Sequence, residues 1–535
     1  MTVHDSAKPL QAEGLCGHPK GLMTLFFTEM WERFSYYGMR AILTLFMIAP
    51  VAVGGLGFDA RTAGSIYAVY TSMVYLMALP GGWLADNFFG QRRSVLLGGV
   101  IIMIGHILLA FHGLVFFYSG LLCVVLGTGL LKPNISAIVG QLYVPGDERR
   151  DAGFSIFYMG INLGAFIAPL ICGWLAQSET FRAQLASWGI TPQNSWHFGF
   201  AAAAVGMFFG LVQYVITGRN LGSAGLRPAN ATSPERIAAA RSLLWRGIIL
   251  AGLLIAVVVA IAILAPQVLT EENISNAFGL ILLLVVIGFF SYLFRSGDWS
   301  EQERKRLYLI LLLFVGAAIF WGLFEQAGST LTIFAERNTD NSFFGWSYPS
   351  SWWQSVNALM IIVLAPAFAW FWVKLGKRNP SSPAKFSVGL LFAGLGFIVL
   401  IGGAAFSSEG QRASMWWLFT VYLLHTIGEL WLSPVGLSSM TKLAPARVVG
   451  LMMGVWFLAT SVGSFIAGKA ASFYADFELT TLMAVIGGTG IVAGIAMALF
   501  VKPIRRMLGG REDLVEPVEP VEPVDPIEHG VPKSS

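Results

Sequence analysis

The stretch "FFTEMWERFSYYGMRAILTLF", residues 26–46, sets two glutamates, two arginines and two tyrosines in a run otherwise suited to a lipid interior. Glu29, Glu32, Arg33, Tyr36 and Arg40 fall at i, i+3, i+4, i+7 and i+11, which is one face of a helix. Such a stripe turns from lipid toward the centre of a bundle. Glu29 and Arg33 can pair at i,i+4. Two acids three residues apart cannot both ionise cheaply in a low dielectric, which is the property a proton carrier needs. The alternative is a structural ion-pair network with snorkelling side chains near the membrane surface. Arg40 suits that alternative poorly, because it lies about 27 Å along the helix from residue 22.

Three further charges stand in apolar surroundings: Lys132, Glu325 and Glu429. An ionisable residue inside a membrane span costs at least about 2.5–3.5 kcal/mol on insertion scales, so it faces a cavity or a partner. Arg40 is the expected partner of Glu325. Lys132 and Glu429 are expected to bridge the cavity in one gating state and part in another. His106 and His425 are more readily core histidines than proton relays.

The elements that position these residues are membrane spans. Of 535 residues 56% are hydrophobic and 12% charged, against about one-quarter charged in a soluble domain. Apolar blocks such as "GFAAAAVGMFFGLVQYVI" and "LIAVVVAIAIL" have spanning character. Fourteen segments are expected, at 22–49, 62–85, 94–112, 114–140, 152–176, 196–217, 243–265, 275–295, 307–335, 350–373, 386–406, 414–441, 447–471 and 480–501. The polar first twenty residues do not read as a cleavable signal peptide. Alternating the segments from a cytoplasmic N-terminus puts 26 of the 34 lysines and arginines inside, and only Arg61, Arg182, Arg337 and Arg412 outside. Both termini are therefore expected in the cytoplasm. The tail "VEPVEPVEPVDPIEHG" is expected to be disordered. Cys16, Cys123 and Cys172 have no metal-ligand spacing, and no basic cluster suggests nucleic acid.

The chain also repeats itself. "FYMGINLGAFIAP" (157–169) aligns without a gap to "WFLATSVGSFIAG" (456–468), an offset of 299. Spans 4 and 5 then match spans 12 and 13. The expected organisation is an N-terminal segment 1–21, a six-helix bundle 22–218, a linker with two additional helices 219–306, a second six-helix bundle 307–503, and a tail 504–535. Two equivalent bundles with a site between them are transporter architecture. "GGWLADNFFGQRR" (81–93) resembles the Gly-x-x-x-Asp-x-x-Gly-x-Arg loop of the major facilitator superfamily. Asp86 and Arg92 are expected to latch neighbouring helices there.

"TEMWERFSYYG" (28–38) carries a Glu-x-x-Glu-Arg-Phe-x-Tyr-Tyr motif that resembles the proton-dependent oligopeptide transporter family. "GTGLLKPNIS" (127–136), "FYMGINLG" (157–164), "FWGLFEQAGS" (320–329) and "GELWLSPVG" (428–436) extend the resemblance over about residues 20–505. It implies an all-α polytopic major facilitator fold with the two-helix insertion of bacterial members. It implies a proton-coupled importer of di- and tripeptides in a bacterial inner membrane, expected to be monomeric, with no cofactor or metal. Carried over by residue, Glu29, Glu32 and Arg33 match the proton-coupling motif. Lys132 matches the lysine that pairs with the acid at Glu429 and attracts the substrate carboxylate. Arg40 matches the arginine that pairs with the acid at Glu325 and meets the peptide carboxylate. Asn162, Asn357 and Glu429 match holders of the amino group, and Tyr36, Tyr37, Tyr75, Trp321 and Trp456 match the aromatic lining. Two departures separate the chain from animal members: their span-2 histidine aligns with Ala68, and only "SSEGQRAS" separates spans 11 and 12. A nitrate or other small-anion carrier is the competing reading, and Glu429 and Asn162 favour a substrate with an amino group. No HExxH, Gly-x-Ser-x-Gly or phosphate-binding loop supports an enzyme or an ATP-driven pump.

Overall fold

The computed structural model describes residue 14 and residues 17–144, 146–231, 233–408 and 410–507. The expectation for the acidic tail lies almost wholly outside the described residues.

Fourteen long helices follow one another: α1 (Lys20–Ile48), α2 (Ala60–Phe89), α3 (Gln91–Leu109), α4 (Leu114–Gln141), α5 (Arg149–Gln177), α6 (Ser195–Thr217), α7 (Pro234–Leu264), α8 (Glu271–Arg295), α9 (Glu301–Asn338), α10 (Trp353–Leu375), α11 (Ser382–Ser408), α12 (Met415–Leu443), α13 (Met452–Ser472) and α14 (Leu479–Met507). Thirteen of them are long and apolar enough to cross a membrane by composition. The other is α1, whose 29 residues carry the charged stripe.

Helix starts follow capping chemistry rather than the apolar runs. α7 begins nine residues ahead of the expected 243, where the Ser233 hydroxyl accepts from the Arg236 N–H and Pro234 takes the first position. α9 begins at Glu301, ahead of 307, because Ser300 and Glu303 form a capping box. A short helix, Glu179–Ser187, and a two-stranded hairpin, β1 (Ser342–Phe343) with β2 (Trp346–Ser347), lie between spans.

Buried side chains gather into separate cores. Two lie within α1–α6 and its following turn, and one runs through α8–α14 and takes in Ala60 of α2. α7 stands apart, with Ala240 its only buried residue. One end of the molecule carries Arg92–Arg93, Arg149–Arg150, Arg219, Arg304 and Lys305, and is called the basic face. On that face the chain after α6 docks on the turn between α2 and α3. Arg92 donates from Nε to the Ala224 carbonyl at 2.6 Å and from Nη2 to the Gly222 carbonyl. The Asn230 N–H donates to the Asp86 carbonyl at 2.8 Å. The expected latch between helices is therefore a latch on the linker: the carbonyls of Gly222 and Ala224 lack helical partners and lie within reach of the guanidinium.

Hydrogen bonds and ion pairs joining the two bundles between described residues all lie at mid-length or toward the far face. Ser72 meets Ser461 at 2.8 Å, and Thr44 Oγ1 donates to the Gly328 carbonyl at 2.7 Å. Ser355 donates to the Phe166 carbonyl, Trp352 Nε1 donates to the Leu170 carbonyl, and Arg61 grips Asp476 through both oxygens. The molecule is thus clasped on the far face.

Candidate functional site

The stripe of α1 is buried between the bundles. Glu29, Glu32, Arg33, Tyr36 and Arg40 are each 4% exposed or less. Arg33 Nε lies 2.9 Å from Glu29 Oε1 and 2.7 Å from Glu32 Oε2, so one cation serves two carboxylates. The second oxygen of Glu29 and both of Glu32 accept no further hydrogen bond.

Lys132 reaches this group because α2 and α4 approach closely. A Cβ at Gly81 would run into the Gly129 carbonyl, and one at Gly129 into the backbone at Met77. One turn on, Lys132 Nζ rests 3.8 Å from the centroid of Tyr75, a cation–π contact. The charges of Arg33, Glu32 and Glu29 act on it as well.

Arg40 lies farther along α1 and crosses the interface. Its Nη2 is 2.8 Å from Glu325 Oε2, and its Nε donates to Tyr67 Oη at 2.9 Å. α9 makes this possible by breaking. Its α-helix ends at Phe324, residues Glu325–Gly328 form a 3₁₀ turn, and the helix resumes at Thr330. A side chain at 328 would collide with Tyr67 and Arg40. The glycine therefore sets how near the two bundles come.

The second bundle supplies the acid and amide. Glu429 on α12 accepts from Asn357 Nδ2 at 3.1 Å, which also donates to Thr426 Oγ1 at 3.0 Å. Trp321 and Trp456 meet edge to face at 6.2 Å, and the buried Trp321 Nε1 has no hydrogen-bond partner among the described residues. Asn162 on α5 donates back to the Tyr158 carbonyl at 3.0 Å. Tyr37 lies beside Arg40.

The expected bridge between Lys132 and Glu429 is not formed in this conformation. Lys132 lies on Tyr75 and Glu429 is held by Asn357, each within its own bundle. The physical reason is the far-face clasp: α4 packs on α2 and α3, α12 on α10 and α11. His425 turns from the site to the Ala393 carbonyl at 3.1 Å, and His106 is buried in the core. Tyr67, Thr44 and Thr426 were not singled out from the sequence. Their hydroxyls carry no signal until a partner on another helix is known. Among the described residues no cluster of three or more His, Cys, Asp or Glu residues could hold a metal ion.

Residues 92–487 match the model of the POT family. A transporter of uncharacterised role from Bacillus subtilis is 42% identical over 505 residues, covering 94% of this chain and 98% of its own. The chain belongs to the POT family. A peptide transporter of Yersinia enterocolitica is 40% identical over 514 residues, covering 93% and 96% of the two chains. The crystal structure of a POT peptide transporter in complex with sulfate superposes with a TM-score of 0.83 at 44% identity, over 92% of this chain and 96% of that one. A POT transporter in complex with 5-aminolevulinic acid superposes at 0.82 with 37% identity, over 92% and 98%. The protein is thus a multi-pass membrane transporter with the fold of that family.

Proposed function

We propose that the protein is a proton-coupled symporter importing di- and tripeptides across a bacterial inner membrane by alternating access, with both termini and the basic face in the cytoplasm. The observation that carries the reading is the division of buried charge. Arg40 and Lys132 lie on the first bundle, where Glu29 and Glu32 take up Arg33, while Glu429 with Asn357 lies on the second. A zwitterionic peptide needs a cationic end, an anionic end and apolar walls that tolerate varied side chains. Tyr36, Tyr37, Tyr75, Trp321 and Trp456 supply the walls. A simple anion carrier has no use for Glu429 and Asn357.

The far-face clasp makes this conformation inward-facing. Arg40 is then engaged by Glu325; once the far face opens, an incoming peptide carboxylate competes for the same guanidinium from outside. Glu29 and Glu32 share one arginine, so a single proton taken up by the pair neutralises its excess charge. Lys132 and Glu429 meet when the cytoplasmic ends close. The driving ion is the proton, no cofactor takes part, and a monomer is sufficient. One proton moving down about 150 mV releases roughly 3.5 kcal/mol, enough for accumulation on the order of a few hundredfold.

The test is uptake of a labelled dipeptide into proteoliposomes with an imposed pH gradient. Accumulation that collapses with an uncoupler supports the reading. Uptake undiminished by the uncoupler, or uptake of nitrate in preference to dipeptide, refutes it.

A further inference from the structure

The hairpin between α9 and α10 serves no part of the transport cycle described above, yet its geometry is specific. β1 and β2 pair Ser342 with Ser347 and Phe343 with Trp346, leaving a two-residue turn at Phe344–Gly345. Both turn residues have positive φ, 49° and 81°. A two-residue hairpin turn of that kind favours Asn-Gly or Asp-Gly, because an ordinary side chain is strained there. Phe344 is the only described non-glycine residue with positive φ. The turn thus accepts strain to hold an aromatic ring at its tip, and an outlier of that sort points to a function.

Among the described residues the ring's one aromatic contact is Phe343, within its own hairpin. Phe344 is 96% exposed, Phe343 46% and Trp346 57%. A Cβ on Gly345 would have no neighbour within 4 Å. The far face is already clasped in this structure, so a lid over it would be bonded to the first bundle; among the described residues no hydrogen bond or ring contact joins the tip to that bundle, and Trp346 rests on Tyr348 and Trp352. Nor is the hairpin loosely attached. The Tyr348 N–H donates to the Asn341 carbonyl, Asn341 Nδ2 donates to the Ala335 carbonyl, and Trp353 Nε1 donates to Asn341 Oδ1. The base therefore sits among Tyr348, Trp352 and Trp353, where α10 begins.

We propose that the Phe343–Trp346 tip is an anchor in the headgroup region of the outer leaflet. The partner is a lipid surface, because three large aromatics and no charge occupy residues 342–347. Aromatic rings concentrate at the membrane–water interface, where one side of the ring is apolar and the other wet. The length fits as well. Strands of two residues carry the tip less than about 10 Å from its base, and the interfacial layer of one leaflet is about 5–8 Å deep. The placement on the outer leaflet rests on the sidedness proposed above; insertion itself does not.

The test is a nitroxide at Ser347, which is exposed beside the three aromatics, in full-length protein whose Cys16, Cys123 and Cys172 are replaced. The protein is reconstituted in phosphatidylcholine–phosphatidylglycerol vesicles, and collision with oxygen is compared with collision with a water-soluble nickel chelate. Insertion predicts an oxygen-to-nickel ratio severalfold above that of a water-exposed site. Phe343→Ser/Phe344→Asn/Trp346→Ser should return the ratio to the aqueous value. Phe344→Asn alone removes the strained ring and leaves a favoured turn, so it should lower the ratio without lowering the Tm. An aqueous ratio in the parent, or exclusion of both reagents, overturns the anchor. Dipeptide uptake in the same vesicles is read separately, so loss of the transport reading would leave the depth result standing.

Discussion

Replacing Glu325 by glutamine should open the far face. In this conformation Glu325 Oε2 lies 2.8 Å from Arg40 Nη2, and both side chains are 5% exposed or less. Whether the pair itself stabilises the clasp is not the deciding quantity, since the desolvation of two charges offsets most of their attraction. What decides is the state left behind. The amide of the Glu325→Gln variant can still accept a hydrogen bond, and Tyr67 still accepts from Arg40 Nε, but a buried guanidinium loses its counter-charge. Losing the partner's charge while its shape stays costs about 2–3 kcal/mol in such a site. When the far face opens, Arg40 gains water and the penalty lapses. The equilibrium should therefore shift toward the outward-open form by about 30- to 150-fold. The Thr44→Val variant loses only the neutral bond to the Gly328 carbonyl, worth about 0.5–1.5 kcal/mol, and should shift the same equilibrium no more than about tenfold. Spin labels at Ser187 and Glu478, both exposed on the far face of opposite bundles, report the distance distribution. An unchanged distribution for Glu325→Gln, or a larger shift for Thr44→Val, would refute the argument that the buried charge pair controls the clasp.

Other outcomes follow from the same geometry. Glu29→Gln and Glu32→Gln should each preserve peptide-for-peptide counterflow better than gradient-driven uptake, measured side by side in proteoliposomes; equal loss of both in folded protein would make the pair structural. Lys132→Ala and Glu429→Ala should shift the spacing of the cytoplasmic ends in the same direction, and a double-mutant cycle should give a coupling above about 0.5 kcal/mol if the two residues meet during the cycle. Gly81→Val should push α2 from α4 and separate Tyr75 from Lys132, destabilising by about 1–3 kcal/mol, seen as a lower Tm in detergent. Asp147, on the loop between α4 and α5, is held at a pKa of about 2 by hydrogen bonds from Arg149. A depressed carboxylate gives its contribution above its unfolded value and loses it only as pH falls toward about 2, so Asp147→Asn should leave the shape of an uptake profile between pH 5 and 8 unaltered.

The sequence made the charged stripe legible because helical period and lipid cost act on every residue of α1 alike. The fourteen segments were legible for the same reason, and the starts that moved most are those where Ser233 and Ser300 cap helices ahead of the apolar run. The partner of Glu325 was legible from charge scarcity. The partner of Arg92 was not, because backbone carbonyls at Gly222 and Ala224 leave no trace in a one-letter code. Lys132 and Glu429 were legible as buried charges, but the spacing between them was not: one chain has several arrangements, and each sets its own spacing between bundles. Tyr67 and Thr44 needed the 3₁₀ break at Glu325–Gly328 before their hydroxyls had anything to hold.

The inserted helices bear on how two rocking bodies stay joined by one chain. At its start the insertion is moored to the first bundle through Arg92, and at its end it runs through Ser300 into α9 of the second. Between these moorings α7 buries almost nothing, whereas α8 joins the second core and is tied at its start to Arg61, Tyr118 and Lys469. A segment so placed works as an expansion joint. As the bundles rotate, the slack is taken up by α7, the helix of the insertion that buries almost none of its surface in the protein. The displacement then disturbs fluid acyl chains rather than a close-packed core, and neither bundle has to deform to let the other move.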